Sequence, residues 1–219
     1  MRIVLFIKKD KPATGEVIEY LSKRSDDFIF YAGAREDGFP EEAVISFQDI
    51  LISYLSPWVI PEGTLKNTRL WNINFHPGPP EYPGIGCFNF AIYNGEKSYG
   101  VTAHLMDKSV DSGKIIAVKR FPLLPSDSVH SLSVKSYECM LSLFREVMDL
   151  VLAKGEIPDC GEKWQRKAYR REDLEDLCRI DPGMGKEEIE KRIKATTYPD
   201  MPGAYMDIVG YRFAYAPDR

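Results

Sequence analysis

Two of the three histidines in this 219-residue chain, His76 and His104, fall within residues 70–122. The same stretch holds an asparagine and an aspartate placed as catalytic groups would need them. Asn74 and His76 stand two residues apart at the end of a strand-like run, Leu70-Trp71-Asn72-Ile73-Asn74-Phe75-His76. Alternate strand residues share a face, so the carboxamide and the imidazole are expected to point the same way. Pro77 has no N–H for a ladder and should end the pairing. The second half reads as strand 99–106, loop 107–113 and strand 114–121. Asp111-Ser112-Gly113 is a good turn sequence, and a loop there could carry Asp111 back towards His76.

An asparagine offers a neutral amide donor, and a histidine donates or accepts according to its protonation. Two donors converging on one point can stabilise a developing oxyanion. A carboxylate beside an imidazole favours the imidazolium and can relay protons. No cysteine or serine stands out beside these residues as an obvious nucleophile, so the set suits direct acyl transfer to an amine better than a covalent intermediate. The plainer alternative is a strand-end asparagine that caps a turn and a histidine that satisfies backbone groups.

Asn74-Phe75-His76-Pro77-Gly78 resembles the Asn-x-His-Pro-Ser/Gly signature of the 10-formyltetrahydrofolate-dependent formyltransferases. Gly100-Val101-Thr102-Ala103-His104, then Val110-Asp111-Ser112-Gly113-Lys114-Ile115-Ile116, resembles that family's second signature, in the same order and spacing. The resemblance is firm over residues 50–122 and thinner on both sides. It implies catalytic roles for Asn74, His76 and Asp111. Asn74 and protonated His76 would stabilise the oxyanion, and Asp111 would keep His76 charged and help move the amine proton. His104 would support Asp111 or its loop. Trp58, Val59, Ile60 and Val110 would meet the folate, and Tyr82 or a nearby aromatic would meet the acceptor. For Trp58 an ordinary core anchor is the competing reading. The resemblance implies 10-formyltetrahydrofolate as co-substrate, no metal, and a small-molecule amine as partner. A nucleotide-linked amino sugar is one such amine, and a homodimer is left open.

The resemblance also leaves alternatives: an enzyme like methionyl-tRNA formyltransferase, a formyltetrahydrofolate hydrolase, or a non-catalytic module that binds folate or a nucleotide. The tRNA enzymes continue into a basic barrel where this sequence stops, the ribonucleotide enzymes carry a glycine-rich phosphate loop after the first strand, and the hydrolases add an N-terminal domain. The expected acceptor is therefore a small molecule. The 79–84 segment, Pro-Pro-Glu-Tyr-Pro-Gly, departs from the family's usual Leu-Leu-Pro.

Composition agrees. A net charge of −4 argues against a dedicated nucleic-acid binder. No apolar run reaches membrane-span length, and the N-terminus lacks the shape of a signal peptide. The four cysteines, Cys87, Cys139, Cys160 and Cys178, form no C-x-x-C pair, so a reducing cytoplasm is expected.

Patterning supplies the rest of an α/β fold. The expected architecture is a twisted, largely parallel Rossmann-like sheet with flanking helices, then short helices and a C-terminal hairpin. Residues 2–7 read as a buried strand, 16–23 as a helix and 28–32 as a strand. Residues 48–51 read as a short helix before a strand at 51–56. The lysine-rich loop after the first strand, with Lys8, Lys9 and Lys11, is either solvated or an anion contact. The clearest helix spans 127–153, capped by Ser126 or Asp127 and carrying His130 as a surface or packing residue. Residues 161–169 form a basic patch around Trp164. Helices at 171–180 and 186–195, a turn at 199–203 and a hairpin about Gly210 follow. The division expected is a catalytic domain at 1–155 and a helical and hairpin extension at 156–219.

Overall fold

Runs of branched and aromatic residues become the inner strands. Ile3–Lys8 (β1), Gln48–Tyr54 (β3) and Thr68–His76 (β4) lie parallel, with Phe28–Gly33 (β2) outside β1. Ser98–Leu105 (β5) and Ile115–Pro122 (β6) extend the sheet antiparallel from β4, giving the order β2-β1-β3-β4-β5-β6. The structure is a computed structural model and describes residues 1–199 and 201–216. The α/β class and the largely parallel sheet expected from the sequence are present.

One face of the sheet is the main core. Ile3, Leu5 and Ile7 of β1, Ile50 and Ile52 of β3, and Ile73 and Phe75 of β4 are buried there. They pack against Thr14–Ser22 (α1) and Val129–Lys154 (α4), which contributes Met140, Phe144, Val147 and Met148. Each such side chain contributes about 1.5–3 kcal/mol on burial. This packing also sets the site. With Ile73 and Phe75 committed to the core, the two-residue period sends Asn74 and His76 to the opposite face. Val101 and Ala103 do the same for Thr102 and His104 on β5. In the antiparallel register Asn74 faces His104 and His76 faces Thr102. The β5–β6 ladder shifts between Ala103 and His104, a local irregularity of the kind common beside active sites.

Three expectations are corrected. The helix at 48–51 does not form, because Gln48–Tyr54 is one continuous strand. Ile50, Leu51 and Ile52 are buried on both faces, and the buried Gln48 amide donates to the Thr64 carbonyl and Thr68 hydroxyl. Two helices were not anticipated, Glu62–Lys66 (α2) and Cys87–Asn94 (α3). Left-handed glycines, Gly86 and Gly95, bound α3. The long helix α4 starts later than expected. Ser128 is its cap, in a reciprocal pair with Ser131, while the Asp127 carboxylate accepts from Leu124 N–H, Ser131 and Lys135.

Beyond α4 the chain returns along the cleft and forms Arg171–Cys178 (α5) and Lys186–Thr196 (α6). Leu177 and Ala195 join Phe90, Ala91 and Tyr99 in a second core cluster. Tyr205–Ile208 (β7) and Tyr211–Ala214 (β8) form the expected hairpin. The turn expected at 199–203 includes position 200, which lies outside the described residues. Among the described residues no helix is long and apolar enough to cross a membrane.

Candidate active site

The ends of β1, β3 and β4 open into one cleft of about 1630 Å³, lined by residues that follow each strand: Lys8 and Lys11, 55–60, and His76 and Pro77. Ligands in open α/β sheets bind at such carboxyl ends. Asn74, His76, His104 and Asp111 all line it.

Asp111 ties these side chains together. Its Oδ2 lies 3.2 Å from His76 Nδ1, and its Oδ1 lies 3.2 Å from His104 Nε2. Asn74 Nδ2 donates to Oδ1 at 3.3 Å and stands 2.9 Å from His104 Nε2. The Gly84 N–H donates to Oδ2 at 2.7 Å. His76, His104 and Asp111 are 5%, 2% and 7% exposed, while Asn74 is half-buried. Burial works to raise the Asp111 carboxyl. The charge of His76, the His104 contact and the Gly84 N–H outweigh it and hold the group well below the usual carboxylate range. The loop that delivers Asp111 is strained at that residue, whose φ is 44°, in the left-handed region.

Each histidine meets Asp111 and a backbone carbonyl. His104 Nδ1 lies 2.8 Å from the Leu105 carbonyl and donates there, while its Nε2 faces Asp111 Oδ1, an acceptor, and the Asn74 amide, a donor. His76 meets acceptors on both nitrogens, Asp111 at Nδ1 and the Tyr82 carbonyl at Nε2, 2.9 Å away. Only an imidazolium donates to both. This arrangement bears on the oxyanion role expected for Asn74 and His76. Their donors are engaged within the protein, so that role requires a bond to be exchanged on binding; catalytic hydrogen bonds commonly realign in complexes.

Tyr82 corrects an expectation. Its ring is 4% exposed and stacked against Tyr99 and Tyr169, and its hydroxyl donates to Glu96 and accepts from Asn94. Such a ring cannot stack on an acceptor. Its contribution to the site is the backbone carbonyl at His76. The Pro-Pro-Glu-Tyr loop is what places that carbonyl. Trp58, Phe75, Tyr137, Trp164 and Tyr169 are the aromatics that do line the cleft.

Trp58, Val59, Ile60 and Val110 all line the cleft. Trp58 is also anchored in the fold, its ring edge-on to Phe6 and Phe39 and its indole N–H donating to the Asp37 carbonyl at 2.9 Å. Val59 and Val110 leave apolar side chains open inside the cleft, at 73% and 51% exposed. An apolar wall of this kind fits a flat heterocycle such as a pteridine.

Cys87 is distant in sequence yet close in space. A Cβ built on Gly78 would lie 2.6 Å from His76 Nε2 and 2.9 Å from Cys87 Cβ. Burial, ahead of other influences, pushes the Cys87 thiol up to about 12. It is therefore a packed thiol and not a thiolate nucleophile.

Cations gather along the cleft, with Asp107, Glu172 and Asp173 among them. Lys9, Lys66, Arg69 and Arg120 each hold an ion pair. Lys8, Lys11, Arg35, Lys108, Arg166, Lys167, Arg170 and Arg171 line the cleft, and among the described residues none has an ion pair. Only Lys8 and Lys11 belong to the loop that the sequence offered for an anion. The basic patch and the residues just after it supply Arg166, Lys167, Arg170 and Arg171, while Arg35 follows β2 and Lys108 follows β5. Trp164 is the other residue that sequence reasoning passed over. It touches both site histidines, and its partner, Gly113, lies 51 positions away, so local spacing gave no signal.

Residues 49–147 match the family model described as "Formyl transferase". A GDP-perosamine N-formyltransferase of Brucella melitensis is 29% identical over 187 residues, covering 85% of this chain and 71% of that protein. A methionyl-tRNA formyltransferase of Dictyoglomus thermophilum is 35% identical over 101 residues, 46% of this chain and 32% of that one. The fold resembles a sugar N-formyltransferase from a Shewanella species, with a TM-score of 0.78 and 18% identity over 98% of this chain and 96% of that one. It also resembles an N-formyltransferase from Helicobacter canadensis, solved with folinic acid and dTDP-3-aminofucose. That TM-score is 0.74, at 19% identity over 96% and 85% of the two chains. Both signatures, the family match over residues 49–147 and the fold all point towards the formyl transferases.

Proposed function

We propose that this enzyme transfers the formyl group of 10-formyltetrahydrofolate to the primary amine of a nucleotide-linked amino sugar. The observation that carries the reading is the meeting of Asn74, His76 and Asp111 on the floor of a cleft lined by unpaired cations. A diphosphate supplies the anion such cations accept. The apolar wall at Trp58, Val59, Ile60 and Val110 takes the folate.

In the proposed step the neutral amine attacks the formyl carbon. The new C–N bond forms, the bond to the folate nitrogen breaks, and one proton passes from the amine to that nitrogen. Asn74 and His76 donate to the oxygen as it gains charge. Asp111, held ionised, keeps His76 charged and takes part in the proton's transfer. His104 holds Asn74 and Asp111 in place.

A homodimer is part of the proposal, with the exposed Tyr211 and Phe213 of the hairpin as apolar surface a second copy would cover; sedimentation tests it. A cytoplasmic home fits the four free cysteines. The test of function offers initiator methionyl-tRNA and a panel of nucleotide-linked amino sugars, with formyl-folate as donor. Formylation of a sugar is expected. Efficient use of the tRNA alone, or release of formate with no acceptor, would replace this reading.

A further inference from the structure

We propose that Trp164 is a positioning residue for the His76–Asp111–His104 cluster, acting from outside the two signature motifs. Two observations meet in this side chain. Its indole N–H donates to the Gly113 carbonyl at 2.8 Å, closing the loop that carries Asp111. Its ring packs against both site histidines, with centroids 6.0 Å from His76 and 5.1 Å from His104, at steep angles to each. Nothing else in the described chain combines those contacts.

The loop needs such a fastening. Asp111 has a backbone conformation that non-glycine residues rarely adopt, which persists only where surroundings over-determine it. Gly113 approaches β5 so closely that an added Cβ would fall 1.9 Å from the Leu105 carbonyl oxygen. The Gly84 N–H anchors the Asp111 side chain, and Trp164 anchors the backbone two residues on. Trp164 is itself held. The following backbone pairs with the loop after β4, Gln165 N–H to the Pro80 carbonyl and Tyr169 N–H to the Pro83 carbonyl. One strap therefore fixes the Tyr82 carbonyl side of His76 and the Asp111 side together. The indole also stands between the imidazoles and the solvent on that side, where water would weaken their bonds to Asp111.

The proposal rests on the formyl-transfer reading only for its catalytic arm. Its structural arm uses ring N–H proton signals, which are simple to assign in a chain with three histidines. His130 lies away from the cluster against Tyr198 and serves as a control. In Trp164→Ala the His76 and His104 ring signals should broaden into solvent exchange while those of His130 stay unchanged. Formyl transfer to the sugar acceptor should fall about tenfold or more in kcat, with little change in KM for formyl-folate. Trp164→Phe keeps the ring, folds if the alanine variant does not, and loses only the N–H. It should keep the protected ring signals, show faster exchange of the Gly84 amide, and turn over about threefold more slowly.

Ring signals as protected in Trp164→Ala as in the wild type would overturn the shielding. Wild-type exchange of the Gly84 amide in Trp164→Phe would overturn the fastening. If the wild-type chain formylates no acceptor, the functional reading fails on its own, and the ring and Gly84 signals still decide the role of Trp164.

Discussion

Asn74 on β4 stands directly opposite His104 on β5, and its amide nitrogen lies 2.9 Å from the imidazole Nε2. Neither residue needs a loop to find the other, because strand register alone brings them together. Asp111 joins them from a loop, bonded to both. The site is thus a cross-strand pair joined by a carboxylate that its partners hold from a loop.

His76→Ala and Asp111→Asn should both fold and both lose most turnover. Loss of one oxyanion donor costs about 100- to 1000-fold in rate. Folate affinity should persist, since the apolar wall at Trp58 and Val110 is untouched. Turnover near the wild-type rate in either variant, measured under saturating formyl-folate, would take that residue out of the mechanism.

His104→Ala should be milder. It removes one of the Asn74 amide's two acceptors and leaves Asp111 Oδ1, at a cost of about 0.5–1.5 kcal/mol. Asp111 keeps Gly84 and His76, so its position survives in part. We expect a fall of about tenfold in kcat and a lower melting temperature, since a 1.4 kcal/mol change corresponds to a factor of ten. Loss as severe as in His76→Ala would make His104 a reacting group instead of a support.

The carboxyl of Asp111 makes a pH prediction with a defined sign. Its folded value lies below the unfolded one of about 3.9. Its contribution to stability is therefore complete above about pH 4 and is lost as pH falls through the folded value. The gap in urea midpoint between the wild type and Asp111→Asn should stay constant near neutrality and narrow below about pH 4. A gap that holds its size on acidification would show that the carboxylate is not stabilised by the fold.

How much of this was legible in the sequence follows from the kind of contact involved. Asn74 and His76 were readable because the two-residue period of a strand is a local rule, and Ile73 and Phe75 between them fixed the core face. The two signatures named Asp111 and His104. Tyr82 misled because an aromatic in a proline-rich loop reads as exposed, whereas its ring is enclosed by Tyr99 and Tyr169, far along the chain. The strand β3 misled at Gln48, a polar residue whose burial depends on partners at Thr64 and Thr68. Trp164 and the cations at 166–171 were invisible as site residues for the same reason. The chain after α4 returns to the cleft through backbone pairing with Pro80 and Pro83, and no local pattern records that return.

Gly78→Ala should injure the site without touching a functional group. The added methyl would meet His76 Nε2 at 2.6 Å, Cys87 Cβ at 2.9 Å and the Tyr82 carbonyl oxygen at 3.0 Å. Those atoms belong to the imidazole and to the backbone that fixes it, so the cost is overpacking, about 1–3 kcal/mol. The expected result is reduced stability together with a shifted His76 ring N–H signal. An unchanged signal would mean that the loop yields and His76 does not.

The cations of the cleft give the last prediction, because they fall into two groups that can be tested apart. Lys8 ends β1 and Lys11 follows it, whereas Arg166, Lys167 and Arg170 belong to the returning strap and Arg171 opens α5. Arg166 is already ordered, with its guanidinium 3.3 Å from the Tyr169 ring centroid, so it loses little freedom on binding an anion. A charge-assisted hydrogen bond is worth about 1.5–3 kcal/mol, so removing one should raise KM for the acceptor about ten- to a hundredfold. Arg166→Ala with Arg170→Ala should do this for a nucleotide-linked amino sugar and leave KM for formyl-folate unchanged. Lys8→Ala with Lys11→Ala gives the same measurement at the other group. A free nucleoside diphosphate should compete with the sugar substrate in the wild type, less well as salt rises. It should compete poorly in whichever double variant has lost the diphosphate contact. If both double variants keep the wild-type acceptor KM and the same inhibition by nucleoside diphosphate, the cations do not hold a diphosphate. The acceptor would then have to be sought among amines that carry no such group.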